Sequence, residues 1–231
     1  MAHVLTGWSV ALQETPPRAL FRPGAHQPGV KMMMGQSIPE GPGGLEAALG
    51  FLAAHPATLR SLARKLVRHF VADDPPEGAV TRVAGVLAAT GGDLKAAALA
   101  VVGVAEAWTP LGKLRSPADL VLAMARALDL PPAGERLRGA MGTLGQGVMN
   151  APLPNGWPDT AADWAGPEAM MRRIDLAYTV AGRGAGLEPM AVAELALGPL
   201  RGAATGQEMR RAGSRREALA LLFASPEFQR R

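Results

Sequence analysis

From residue 43 onward the apolar side chains of this sequence return every three or four positions, and that spacing commits the chain to packed α-helices. Leu45, Ala48, Leu49 and Leu52 make one stripe. Leu59, Leu62, Ala63, Leu66 and Phe70 make a second, with Arg60, Arg64 and Arg68 on the opposite face. Val80, Val83, Ala84 and Leu87 make a third, stopped by Gly91-Gly92, and Asp93 then caps a helix carrying Leu94, Ala97, Ala98 and Val101. Pro56 stands at a first helical position, where its missing N–H is not needed. Ser116-Pro117-Ala118-Asp119 combines an N-cap, a Pro at N1 and a carboxylate at N3; the helix it opens ends before Pro131-Pro132. The pattern continues over residues 168–180 and 189–197. A last helix opens at Ser214, with Glu217 placed for a reciprocal capping box, and closes at Ser225-Pro226. No stretch alternates with the period of a strand. The fold class read from this is all-α, an irregular array of about eight to ten short helices.

Only 4% of the 231 residues are aromatic while 48% are hydrophobic, so the core is expected to be Ala, Leu, Val and Met. Residues 1–42 are crowded with turn formers (Pro16-Pro17, Pro23-Gly24, Pro28-Gly29, Pro39) and read as a loop-rich segment, leaving 43–231 as one helical domain. Residues 142–159 form a second irregular stretch. The absence of cysteine excludes disulfides, thiolate metal sites and a Cys nucleophile. The longest apolar run, residues 96–105, is too short to cross a bilayer, and no signal peptide is visible after Met1. The compartment is left open. Residues 201–231 hold seven Arg against three Glu, yet no aromatics interleave them and no nucleic-acid motif accompanies them. No nucleic-acid partner is expected.

The chemistry-bearing residues are few. No His-Glu-x-x-His, no Gly-x-Ser-x-Gly and no phosphate loop is present, so no catalytic set, metal site or cofactor is expected. All four histidines fall in the first 70 residues. His26 is a loop hydrogen-bonding residue or part of a functional site, and His55 is an N-cap or a ligand contact. His69 reads as packing at a helix rim. Arg64, Lys65 and Arg68 make a basic helical face, open to solvent or to an anion. Trp157, in Pro154-Asn155-Gly156-Trp157-Pro158-Asp159, is either a plug over the core or a stacking surface for a ligand. Met32-Met33-Met34 is an apolar run expected to pack on a partner.

Five stretches carry a resemblance. They are Val4-Leu5-Thr6-Gly7-Trp8; His55-Pro56-Ala57-Thr58 running into residues 63–71; Gly91-Gly92-Asp93-Leu94; Leu144-Gly145-Gln146 continuing to residues 154–159; and residues 216–228, ending Ser225-Pro226-Glu227-Phe228. In order and spacing they resemble the bacterial family catalogued as domain of unknown function 1800, over essentially the whole chain. The resemblance implies a C-terminal half, whose missing N-terminal half would be a partner and would supply carboxylates to Arg64 and Arg68. It also implies export in longer relatives and a sulfatase-like envelope protein as a further partner. Where the family shows His followed by Asp, Gln27 follows His26 here, which removes a possible base. The leading expectation is a non-catalytic, partner-binding or assembly module. The alternative is half of a hydrolase or metal-assisted enzyme, in which His26, Lys31 and His55 meet carboxylates of the missing half. An exposed apolar patch at Val4, Leu5 and Trp8 is expected in either case.

Overall fold

The computed structural model describes residues 1–131 and 133–231, so Pro132 of the expected Pro131-Pro132 stop lies outside the described residues. Two compact units emerge: Met1–Leu66 with Glu77–Val102, and Val67–Pro76 with Gly103–Arg231.

The first unit begins with one helical turn, α1 (Ala2–Leu5), followed by two antiparallel hairpins. β1 (Trp8–Ala11) pairs with β2 (Arg18–Phe21), setting Trp8 opposite Phe21, and β3 (Lys31–Met33) pairs with β4 (Gln36–Ile38), setting Lys31 opposite Ile38. The sequence reading expects loops here. Strands of three and four residues are too short for a two-residue period to register, and the surrounding prolines mask them further. Gly7 joins α1 to β1 at φ +84°, and a Cβ there would stand 2.8 Å from the Arg22 carbonyl oxygen. Only glycine fits that approach without strain. Val4, Met33, Ile38 and Ala48 are buried together, with Leu45, Phe51 and Leu52 packed against them. Val4 therefore lies inside the unit, not on an exposed patch.

Helices α2 (Pro42–Ala54), α3 (Pro56–Phe70), α4 (Glu77–Ala89) and α5 (Leu94–Val102) follow the expected starts and stops. Ala48 is sealed while Leu49 is exposed, so the α2 stripe is narrower than its spacing suggests. On α3 the buried line is Leu59, Ala63 and Val67, and Phe70 faces outward. The Asp93 carboxylate accepts from Lys95 N at 2.8 Å and Ala96 N at 3.3 Å, capping α5. The fold as a whole is mainly helical, its strands confined to the two N-terminal hairpins among the described residues.

In the second unit α6 (Pro117–Ala127), α7 (Gly134–Thr143), α8 (Ala161–Trp164) and α9 (Pro167–Ala181) precede α10 (Pro189–Leu197), α11 (Ala203–Arg211), α12 (Arg215–Ala224) and α13 (Pro226–Gln229). Leu120, Val121 and Met124 of α6, Ala177 and Ala181 of α9, Val192 and Ala193 of α10 and Leu219, Leu222 and Phe223 of α12 bury one another. Each large side chain of that set contributes about 1.5–3 kcal/mol. Gly184 keeps the packing close, since a Cβ would stand 2.5 Å from Leu128 Cδ2. Ser116 Oγ accepts from Asp119 N and Ser214 Oγ from Glu217 N, as the sequence predicts. The Glu217 carboxylate, however, takes the Gly213 N–H at 2.8 Å, one residue short of a reciprocal box. A full capping box forms instead at Thr160 and Asp163. No helix among the described residues is long and apolar enough to cross a membrane.

Candidate functional site

Two polar clusters stand out, one in each unit. In the first, the bend at Thr6-Gly7 meets the loop around His26. His26 Nδ1 lies 2.7 Å from the Thr6 carbonyl oxygen, to which it donates. Its Nε2 accepts from Lys31 Nζ at 2.8 Å and from Gly41 N at 3.3 Å. A carbonyl on one side and two donors on the other assign the neutral, Nδ1-protonated tautomer. Lys31 is only 9% exposed, and its ammonium also donates to the Gln27 carbonyl at 2.5 Å. Thr6 Oγ1 accepts from Gln27 N at 2.9 Å and donates to the His3 carbonyl. Gln27 thus serves through its backbone. Phe21 sits between Trp8 and His26, its ring tilted 59° to each, with centroids 5.4 and 5.1 Å away.

His55 takes no part in this cluster. Its Nδ1 accepts from Ala57 N at 3.2 Å, capping α3, and its ring lies edge-on to Phe51. His26 and Lys31 are brought together; His55 is not. Arg60 and Arg64 both pair with Glu77 of α4, the latter at 2.7 Å, so the carboxylate for this face lies within the chain. Their side chains are 40–50% exposed, and such pairs are worth little.

The second cluster centres on Lys113, a residue the sequence reading passed over. It is 3% exposed, yet its Nζ donates to the Asp73 carboxylate at 2.6 Å, the Arg68 carbonyl at 2.7 Å and the Asp159 carbonyl at 3.0 Å. Three tetrahedral donors meet three acceptors. The other Asp73 oxygen accepts from Ala161 N at 2.7 Å. Burial raises the Asp73 carboxyl and is the largest single effect. The hydrogen bonds from Lys113 and Ala161 and the charges of Lys113 and Arg230 together outweigh it, leaving the group below its ordinary value. His69 Nδ1 lies 2.9 Å from the Asp159 carboxylate, and Arg68 Nε donates to the Asp73 carbonyl at 3.3 Å. Lys113 therefore fastens three chain turns at one point. The sequence does not distinguish it: of the four lysines, Lys65 and Lys95 are exposed, and only Lys31 and Lys113 are buried.

Trp157 completes the same turn. Its Nε1 donates to the Gly147 carbonyl at 3.2 Å and its ring lies 6.1 Å from that of Trp164, while Gln146 Oε1 accepts from Ala118 N in the first turn of α6. Glu227 behaves alike. Burial raises its carboxyl, but its own N–H, Thr205, Gly202 and Ser225 donate to it and hold it below the usual carboxylate range. Arg173, 1% exposed, was also missed; it donates to Gln229 Oε1 at 3.0 Å and the Arg115 carbonyl at 2.8 Å, and burial lowers its proton affinity. No group of three His, Cys, Asp or Glu that could hold a metal is gathered among the described residues.

A family model described as "Protein of unknown function (DUF1800)" matches residues 1–230. No curated protein matches the chain, and neither does any solved structure.

Proposed function

The chain belongs to the DUF1800 family of proteins of unknown function, and on that premise we propose that it is a non-catalytic helical module that docks a protein partner through its hairpins. One observation carries the reading: the two hairpins of the first unit turn a set of large apolar side chains outward, while the Lys31 side chain is turned inward. Along β3 and its turn, Lys31 and Met33 point into the unit, whereas Met32 (68% exposed), Met34 and the preceding Val30 face solvent. Val10 and Leu12 of the other hairpin are exposed as well. Flexible methionines on an exposed face adapt to varied apolar surfaces, as partner-binding sites require. The docked polypeptide is expected to present apolar residues to Met32 and Met34, and a companion segment of the same family domain is the first partner to try. Export, and an envelope hydrolase as partner, remain extensions of the same reading.

The polar groups favour this reading over the enzyme. His26 Nε2, the Lys31 ammonium and His55 Nδ1 are each engaged by backbone or by one another, so none is left aimed at a substrate. The family motifs act alike: Thr6, Asp93, Gln146, Trp157 and Glu227 each fasten a turn or cap a helix.

Photo-cross-linking tests the reading. A benzophenone amino acid at Met32, in the full chain in its producing cells, is expected to give a discrete adduct with one polypeptide. The same residue at Arg82, exposed on α4, is expected to give none. Met34→Ser is expected to weaken the adduct without changing the melting temperature. Equal labelling from both positions contradicts the proposal.

A further inference from the structure

In the second unit the face of α6 opposite its buried stripe opens onto a cleft of about 540 Å³, shared with α10 and α13. Three guanidiniums, those of Arg115, Arg126 and Arg231, line it against a single carboxylate, Asp119. Arg231 is already committed, to Asp119 at 3.0 Å and to the His69 carbonyl at 3.0 Å. Arg115 uses only Nε, which donates to the Arg230 carbonyl at 2.9 Å, and its guanidinium lies over Phe228 at 5.3 Å. The Arg126 guanidinium has no hydrogen-bond or ion-pair partner among the described residues; its backbone carbonyl accepts from Asp129 N at 3.1 Å. Two guanidiniums therefore reach the cleft with donors unspent.

The remaining walls are apolar. Leu122 lies one turn before Arg126 on the same face of α6, and Leu195 of α10 is 80% exposed at the rim. A volume of this size falls within the range of small-molecule sites. Burial lowers the proton affinity of Arg115; Asp119 offsets part of that effect and the neighbouring Arg231 adds to it. The cleft thus holds positive charge that its own residues leave incompletely balanced.

We propose that this cleft binds a small amphiphilic oxyanion, with one carboxylate or phosphate headgroup held by Arg115 and Arg126 and a short apolar tail lying along Leu122 and Leu195. Arginine forks match both headgroups in two-point geometry, and the aliphatic walls select against a bare ion. The site goes beyond the partner-docking reading and does not depend on it, because the hairpins belong to the other unit.

Titration calorimetry of the full chain with octyl phosphate and with octanoate tests the site, with inorganic phosphate and 1-octanol as controls. At least one amphiphile is expected to bind about tenfold or more tighter than inorganic phosphate, and the one that does so identifies the headgroup. Arg126→Gln is expected to weaken it about tenfold, the scale of one charge-assisted contact, and Leu195→Ser a few-fold. Both residues are exposed, so neither variant is expected to shift the melting temperature. No binding of either amphiphile, equal binding of inorganic phosphate, or affinity unchanged in Arg126→Gln overturns the proposal.

Discussion

Lys113 in the second unit and Lys31 in the first are both withdrawn from water, but Lys113 meets a carboxylate and two carbonyls while Lys31 meets an imidazole and one carbonyl. Around Lys113 the charge is answered where it is buried, and the partners come from three separate turns. Around Lys31 the acceptors are neutral and close in sequence, and the apolar core beneath is thin. The contrast separates a charge-paired fastener from a neutral one; exposed apolar side chains occur in both units, Met32 and Met34 in the first and Met149 and Leu195 in the second. Regions that rearrange on binding come from the less stable end of a fold, which suits the hairpins to docking.

Lys113→Met breaks the comparison at its stronger side. Asp73 would keep the Ala161 N–H but lose its cation, and the Arg68 and Asp159 carbonyls would lose a donor. A loss of about 3 kcal/mol is expected in urea denaturation. Gly7→Ala is expected to cost about 2 kcal/mol, because the φ of +84° and the Arg22 carbonyl both oppose a Cβ. Its effect belongs in the first unit, read from hairpin amide shifts. Lys31→Met is expected to cost only about 1 kcal/mol, since His26 keeps its bonds to Thr6 and Gly41. Should Lys31→Met prove as damaging as Lys113→Met, the contrast collapses.

The smallest effect is on pH dependence. Asp73 titrates lower folded than unfolded, so its contribution is whole above the ordinary Asp value of about 4 and is lost as pH falls through the folded value. In Lys113→Met that depression shrinks. The variant is expected to lose less stability than the parent between neutral pH and acid, read as melting temperature against pH.

Much of this was legible in the sequence. Ser116-Pro117 marked the start of α6, His55 the cap of α3, and Asp93 the cap of α5, because a helix end is written in adjacent residues. Other elements were not. α7 carries Gly134, Gly139 and Gly142, which blur its apolar stripe, and α11 is short and polar on most faces. His26 and Lys31, five residues apart, were singled out together, whereas Lys113 meets Asp73 forty residues away and Asp159 forty-six away. No local pattern records such a meeting. Arg173 looked like one more helical arginine, and only the packing of α9 against the α13 turn shows why it is buried.

On the proposed reading, charge-paired fasteners make the second unit the more stable part and leave the hairpins as the more labile one. Native-state hydrogen exchange of the full chain measures this directly at two amides: Ala161, which donates to Asp73, and Gly41, which donates to His26. Protection at Ala161 is expected to lie close to that of the slowest core amides, and protection at Gly41 at least tenfold lower. Equal protection at the two, or the reverse order, would contradict it.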